Sequence, residues 1–393
     1  MGRRMGLTGN EAIAYAVKQC DVGLVSAYPI TPQTIIVERI SDYIANGEID
    51  TEFVCVESEH SALSVCIGAS LTGLRVFTAT ASQGLALMHE VLYAASGLRC
   101  PIVMAVANRA LSAPLNIHCD HSDMMGSRDC GWIQIFAENV QEAYDWTIQS
   151  FKIAEHPDVQ LPVAVNIDGF TLTHCLEDID VLEKETIEKF LPPRKPIYRI
   201  DPENPMTFGA WTMPEYYYKF KLQQQEAMEN SIKVIKQVTD EYGELTGRKY
   251  GVIQSYGLED SKVAIMALGS TCGTLRHVAK SLRKTDGLKV GVIKLWLYRP
   301  IPEDDLLSIF DNLKALIVLD RALSPGAVFG PLGSDIASII VKRDLDLKLL
   351  NYTYGLGGDE VSLELAERLL KLAMKISEGV KPPSLTGYLK EVV

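Results

Sequence analysis

The spacing of short apolar runs is what most limits how this chain can fold. Val22–Ala27, Phe53–Val56, Arg75–Thr80, Pro101–Ala107 and Val163–Ile167 read as strands. Before and between them Glu11–Cys20, Glu59–Leu71, Leu85–Ala95 and Val140–Ala154 read as helices. The strand runs do not alternate apolar with polar residues, as expected when helices cover both faces of a sheet. Strand and helix in turn predict an α/β domain with a mostly parallel sheet.

The pattern stops near Leu191. Leu191–Pro196 and Asp201–Pro205 are proline-rich and predicted to be extended, and Tyr216–Leu245 reads as one long charged helix. Residues 190–255 are therefore expected to form a connecting arm and helix without a core of their own. A second α/β unit follows. Its strands are predicted at Val263–Leu268, Val290–Leu295, Ala315–Leu319 and Leu347–Tyr352. Its helices are predicted at Thr274–Lys284, Glu303–Asn312, Leu332–Lys342 and Glu360–Ile376. The chain, 393 residues and 47% hydrophobic, is long enough for two or three cores.

Charge and cysteine usage narrow the function classes. A net charge of −12 with no long Lys/Arg run argues against nucleic acid as a partner. Uninterrupted apolar runs of about 18 residues, the length needed to span a bilayer, are missing. The basic start Gly2-Arg3-Arg4 leads into no apolar signal core, so the expected location is cytoplasmic, with no membrane partner. The eight cysteines form no CxxC pair and lie mostly in apolar segments, which fits buried thiols better than an iron–sulfur cluster or zinc held by this chain.

Three segments carry candidate chemistry. Ser26-Ala-Tyr-Pro-Ile-Thr-Pro-Gln33 ends a strand in a turn stiffened by Pro29 and Pro32 around Ile30 and Thr31. That places Thr31 at or near the start of the next helix, where a hydroxyl and free amides favour a negative group. Glu59 stands at the start of a helix rich in small and apolar residues; on composition alone it is a carboxylate favoured by the positive helix end. Arg109 ends a strand and opens a loop through Asp123, at the sheet end where parallel α/β proteins collect functional groups. A guanidinium there can hold a carboxylate by two parallel hydrogen bonds. Thr80-Ala-Ser-Gln-Gly84 is a small polar loop after another strand.

Other motifs read more plainly. His118, Asp120, His121 and Asp123 are spaced poorly for a metal and fit loop hydrogen bonding; no metal site is assigned. Gly269-Ser-Thr-Cys-Gly273 lacks the Lys-Ser/Thr of a P-loop and the third glycine of a dinucleotide fingerprint, so it reads as a tight turn. Gly355-Leu-Gly-Gly-Asp359 reads as a turn, with contact to a ligand or partner subunit as the alternative.

Together, Tyr28-Pro-Ile-Thr-Pro32, Glu57-Ser-Glu-His-Ser-Ala62 and Asn108-Arg-Ala-Leu-Ser-Ala-Pro114 resemble the α subunit of 2-oxoacid:ferredoxin oxidoreductases. The resemblance covers nearly the whole chain and is strongest over residues 20–135. It implies a pyrimidine-type thiamine-diphosphate-binding domain with its connecting arm over 1–255, then a transketolase C-terminal-like domain over 256–393. By resemblance, Glu59 bonds N1′ of the aminopyrimidine and promotes loss of the thiazolium proton, with Glu57 in reserve. Thr80, Pro29 and Ile30 lie against the cofactor, Arg109 anchors the substrate carboxylate with help from Thr31, and His60 is left without a role. Gly-Asp-Gly, the family's diphosphate–Mg²⁺ motif, does not occur in this sequence. The resemblance therefore implies a β subunit carrying the diphosphate and Mg²⁺ site. It further implies γ and δ subunits with [4Fe-4S] clusters, ferredoxin as electron acceptor and coenzyme A as co-substrate.

The implied reaction is oxidative decarboxylation of pyruvate to acetyl-CoA and CO2. A branched-chain acid such as 2-oxoisovalerate is the nearest alternative. Oxalate and 2-oxoglutarate are disfavoured because a dianion calls for a second cation and none lies near Thr31 in sequence. The alternatives of another class are a non-catalytic assembly subunit and a nucleotide-binding oxidoreductase using the Gly269 turn.

Overall fold

The computed structural model describes residues 2–359 and 361–393. Its strands, in chain order, begin with β1 (Arg3–Thr8), β2 (Leu24–Ala27), β3 (Glu52–Cys55), β4 (Val76–Thr80) and β5 (Ile102–Asn108). They continue with β6 (Ile133–Phe136), β7 (Val163–Asp168), β8 (Leu176–Val181), β9 (Ile253–Tyr256) and β10 (Val263–Ala267). The last are β11 (Val290–Leu295), β12 (Leu297–Arg299), β13 (Ala315–Asp320), β14 (Lys348–Thr353) and β15 (Thr386–Tyr388). A seven-stranded sheet has the order β12-β6-β7-β5-β4-β2-β3, parallel throughout except for β12. A six-stranded sheet has the order β15-β14-β13-β10-β11-β9, parallel except for β9. β1 and β8 pair antiparallel as a separate ribbon.

Both sheets have helices on their faces. Helices Gly9–Gln19, Thr34–Ala45 and Val140–Glu155 bury Ile13, Ile36, Tyr144 and Phe151 on one side of the first sheet. On its other side Leu63, Leu92, Trp132 and Phe136 share one core with Leu295, Tyr298, Leu316 and Leu332 of the second unit. Helices Thr271–Asp286 and Leu363–Ser377 close the far face of the second sheet. The arm leads into a helix of 33 residues, Pro214–Thr246. Arg248, Tyr242 and Tyr250, at and beyond its end, converge on the buried Asp145 of helix Val140–Glu155. Among the described residues, no helix is long and apolar enough to cross a membrane.

Several expectations need correction. The helix expected over Leu85–Ala95 is broken at Met88 into Ser82–Leu87 and His89–Gly97. The final long helix starts at Leu363. Glu360, where it was expected to start, lies outside the described residues.

The two units are also joined by a buried ion cluster. Lys294 Nζ of β11 lies 2.8 Å from Glu138 Oε2 and 2.7 Å from Glu142 Oε1, and Trp296 Nε1 donates to Glu142 at 2.8 Å. Burial raises the Glu142 pKa even with Lys294 beside it. Lys294→Met would leave that carboxylate without its cation. The expected loss is ~3–5 kcal/mol of stability, seen as a lower melting temperature, with partial recovery in Lys294→Met/Glu142→Gln. An unchanged melting temperature in the single variant would contradict this role.

Candidate functional site

From β2 the chain crosses to β3 on one side and then to β4 on the other, so the first sheet reverses its winding between β2 and β4. A crevice forms at the carboxyl ends of strands flanking such a switch point. The Tyr28–Thr31 turn leaves β2 there and the Thr80–Gly84 loop leaves β4.

The turn is held from behind. Gln33 Nε2 donates to the carbonyl of Ala79 at 2.7 Å, Gln33 Oε1 accepts from Ile30 N, and Asn10 Nδ2 donates to the carbonyl of Pro32 at 2.7 Å. Pro29 and Thr31 are exposed and Ile30 is half-buried against the first core. Thr31 does not cap the following helix: Pro32 disfavours helical backbone at the residue before it, and the helix starts at Thr34 with Gln33 as its cap. Thr31 instead offers its carbonyl to Arg109 Nη1 at 2.9 Å.

Glu59 opens helix Glu59–Leu71, whose N-cap Ser58 accepts from Ser61 N. The residue is buried, yet its carboxylate has no hydrogen bond or ion pair among the described residues. Thr80, at the end of β4, is fully buried and its Oγ1 is also unpaired. Gly84 brings these two groups together. A methyl group added there would lie 2.5 Å from Glu59 Oε1 and 2.6 Å from Thr80 Oγ1. Glu57 is exposed and accepts from the Ser61 hydroxyl, which holds its carboxyl below the usual range. The His60 ring lies 3.9 Å from Glu90.

Arg109 is buried behind the turn. Its Nε donates to the carbonyl of Asn116 at 3.0 Å, Nη1 reaches Thr31, and Nη2 has no protein partner among the described residues. Burial lowers its pKa, but a guanidinium remains charged at any physiological pH.

Asp123 ties these parts together. Its carboxylate accepts from Ser82 N at 3.0 Å, Asn108 Nδ2 at 3.0 Å, Arg109 N at 2.9 Å and Met124 N at 2.7 Å. It therefore joins the Glu59-facing loop to the base of Arg109. Asp168, at the end of β7, plays a similar part between the units. It accepts from His121 Nε2 at 2.7 Å, Arg321 Nη1 at 2.8 Å and Ser270 N at 3.1 Å. The Gly269 turn thus does receive an anion, and that anion is the chain's own carboxylate. Arg321 and His121 outweigh burial and hold Asp168 far below the usual carboxylate range.

The His-Asp cluster is dispersed in space. His121 goes to Asp168, Asp120 Oδ2 accepts from Gly357 N at 3.1 Å, and the His118 ring rests 5.0 Å from that of Phe170. Cys119, His121 and Asp168 do bring three potential ligand atoms within 4.8 Å. Arg321 already supplies positive charge to that carboxylate. Sequence reading singled out Glu59, Thr80, Thr31 and Arg109 but missed Gln33, Gly84 and Asn116 as supports, and it weighed Asp123 only with the histidines. Their partners lie elsewhere in the sequence or in a loop without period, so only the fold identifies them.

A cavity of about 790 Å³ lies elsewhere, between the arm, the long helix and the segment before β5. The arginines lining it are engaged with main-chain carbonyls: Arg99 with Val159 and Gln160, Arg194 with Leu74. The unpaired groups at the sheet's carboxyl end make the Glu59 crevice the better candidate.

Burial pushes the Asp123 carboxyl up from 3.8 to about 6, against the hydrogen bonds that favour its charge. Because the folded pKa exceeds the unfolded one, the folded state holds the extra proton between those values. This group's contribution to stability is therefore greatest below pH about 4 and falls by on the order of 3 kcal/mol as pH rises through 6. Asp123→Asn should abolish that slope. Melting temperatures of wild type and variant, compared between pH about 4 and about 7, should show the wild type losing ground as pH rises; a constant difference would contradict the assignment.

Known proteins share this architecture. The family described as pyruvate flavodoxin/ferredoxin oxidoreductase, thiamine diP-bdg, matches residues 15–240, and pyruvate:ferredoxin oxidoreductase core domain II matches residues 261–366. Pyruvate synthase subunit PorA of Thermotoga maritima is 48% identical over 362 residues, 92% of each chain. Ketoisovalerate oxidoreductase subunit VorA of Pyrococcus abyssi is 43% identical over 377 residues, 95% of this chain and 94% of that one. Among solved structures, 2-oxoglutarate:ferredoxin oxidoreductase from Magnetococcus marinus superimposes with a TM-score of 0.72 at 21% identity, over 94% of this chain and 65% of that one. A split-gene transketolase follows the same fold more loosely, with a TM-score of 0.54 at 13% identity over 95% of this chain and 100% of that one. The chain belongs to the pyruvate flavodoxin/ferredoxin oxidoreductase family.

Proposed function

We propose that this chain is the α subunit of a cytoplasmic pyruvate:ferredoxin oxidoreductase, which converts pyruvate and coenzyme A to acetyl-CoA and CO2. The observation that carries the reading is the Glu59–Thr80 pair. The Glu59 carboxylate, on a buried residue, has no partner among the described residues, the Thr80 hydroxyl is buried and unpaired, and any side chain at Gly84 would crowd both. Unpaired buried polar groups are costly in a folded chain, and a bound heteroaromatic ring with hydrogen-bonding nitrogens would satisfy them.

In this reading Glu59 and Thr80 hold the aminopyrimidine of thiamine diphosphate, with Pro29 and Ile30 along the turn. When bound, thiamine diphosphate supplies the carbon nucleophile for the keto group and the electron sink that lets CO2 leave. Glu59 exchanges a proton with the ring nitrogen it faces. Arg109 presents its free Nη2, backed by Nη1, to the substrate carboxylate at the rim formed by Thr31. Asp123 keeps the Glu59 and Arg109 halves in register. Residues 1–255 carry these groups, and residues 256–393 form the transketolase C-terminal-like domain. The diphosphate and Mg²⁺ fall to a β subunit, the [4Fe-4S] clusters to partner subunits, with γ and δ chains completing the complex, and ferredoxin accepts the electrons.

A second reading is the same chemistry on 2-oxoisovalerate. It is favoured by the ketoisovalerate relative, whose 43% identity falls among the 40–48% of the pyruvate synthase relatives.

The test is anaerobic, coenzyme-A-dependent reduction of ferredoxin or viologen by the native complex, with pyruvate, 2-oxoisovalerate, 2-oxoglutarate and oxalate side by side. Preference for pyruvate is expected; preference for 2-oxoisovalerate would favour the second reading. Glu59→Gln should lower kcat by about 10²–10⁴-fold with subunits and bound thiamine retained. Turnover within twofold of wild type would instead make this chain an assembly subunit.

A further inference from the structure

We infer that the second unit sets the position of Arg109, through a clamp between Asn116 and the Gly355–Asp359 turn; this rests on the reading of Arg109 as the substrate anchor. Among the described residues, Arg109 Nε donates to the carbonyl of Asn116, at 3.0 Å. Asn116 lies toward the outer end of the Arg109–Asp123 loop, flanked by the exposed Leu115 and Ile117, and within the loop its Oδ1 accepts from His118 N at 2.7 Å. The second unit holds its other side-chain atom. Asn116 Nδ2 donates to the carbonyl of Gly357 at 3.0 Å, Gly357 N donates to Asp120 Oδ2 at 3.1 Å, and Gly358 N donates to the carbonyl of Cys119 at 2.6 Å.

The turn is built for this grip. Gly357 has φ +58° and Gly358 φ +90°, backbone that side-chain-bearing residues rarely adopt. A methyl group at Gly357 would lie 2.4 Å from Asn116 Nδ2, and one at Gly358 would lie 2.5 Å from His118 Cβ. The turn is tied back to the first unit through Arg321, whose Nε donates to the carbonyl of Gly355 at 3.4 Å and whose Nη1 reaches Asp168. Contacts therefore run from Asp168 through Arg321 and the glycine turn to Asn116, and from there to the guanidinium. Asn116 is a positioning residue: it touches Arg109 with its main chain and the second unit with its side chain.

Asn116→Ala removes the side-chain arm of the clamp and leaves the Arg109 acceptor in place. Gly357→Ala attacks the same contact from the other side. In the assembled complex either variant should raise the KM for the 2-oxoacid about tenfold, the scale expected when a substrate-positioning group shifts by a fraction of an ångström, while kcat and bound thiamine stay within twofold of wild type. Hydrogen–deuterium exchange reads the clamp without turnover: peptides spanning 110–118 and 355–359 should exchange faster in both variants. Unchanged exchange in both segments would overturn the clamp. Faster exchange with an unchanged KM would overturn its role in holding the anchor. A wild-type complex inactive on every 2-oxoacid would instead overturn the functional reading and, with it, the substrate part of this inference, while exchange would still decide the clamp.

Discussion

The carboxylate of Asp168 is the constraint on which the arrangement of the two units depends. It ends β7 at the carboxyl edge of the first sheet and is fully buried among cationic and N–H groups. Beside His121, two of its partners come from the second unit's own switch point: Ser270 follows β10 and Arg321 follows β13, the neighbouring strands between which that sheet reverses its winding. An unpaired buried carboxylate would cost several kcal/mol, so the two units are stable only in a docking that brings these donors to it. The crevice where a doubly wound sheet would bind a ligand is therefore occupied by the neighbouring unit. The first sheet's crevice keeps the Glu59 carboxylate and the Thr80 hydroxyl without partners among the described residues.

Around that junction the site is built in layers of decreasing rigidity. β2, β4 and β5 are fully buried and fix where their loops begin. Asp123 then binds two of those loops to each other, and Gln33 binds the turn after β2 to the end of β4. The outermost segment, from Arg109 to Asn116, is held last, by the turn and by the second unit. Glu59 and Arg109 thus reach the crevice on opposite supports, one from a capped helix end and the other from a braced loop. A site of this kind keeps its groups in place without a ligand, which reduces what binding must reorganise.

Much of this was legible in the sequence, and what was not has physical reasons. Short runs rich in β-branched residues, such as Val290–Leu295, favour a buried strand, and that strand begins and ends where the run does. Ser58 marks the start of the helix at Glu59, because a serine oxygen can take up a free helix amide. β1 and β8 escaped notice because one face of the ribbon is wet and their residues are charged, as Arg3, Arg4, Asp178 and Asp180 illustrate. β12 escaped because three residues carry no period; it is a strand only because β6 lies beside it. Gly355–Asp359 reads in sequence as a turn, and its partners Asn116, Cys119 and Asp120 lie more than two hundred residues away, so only the fold shows them. Asp123 and Asp168 look like ordinary loop and strand-end acids until the fold brings donors to them from more than forty and more than a hundred residues away.

The central claim is that this chain supplies only the pyrimidine half of a shared cofactor site. The most direct test is an experimental structure of the native complex with thiamine diphosphate bound. The account predicts the Glu59 carboxylate within hydrogen-bond reach of the aminopyrimidine N1′, Thr80 against the ring, and the diphosphate with its Mg²⁺ on a different chain. A cofactor bound wholly within one subunit, or an aminopyrimidine facing groups other than Glu59, would contradict it.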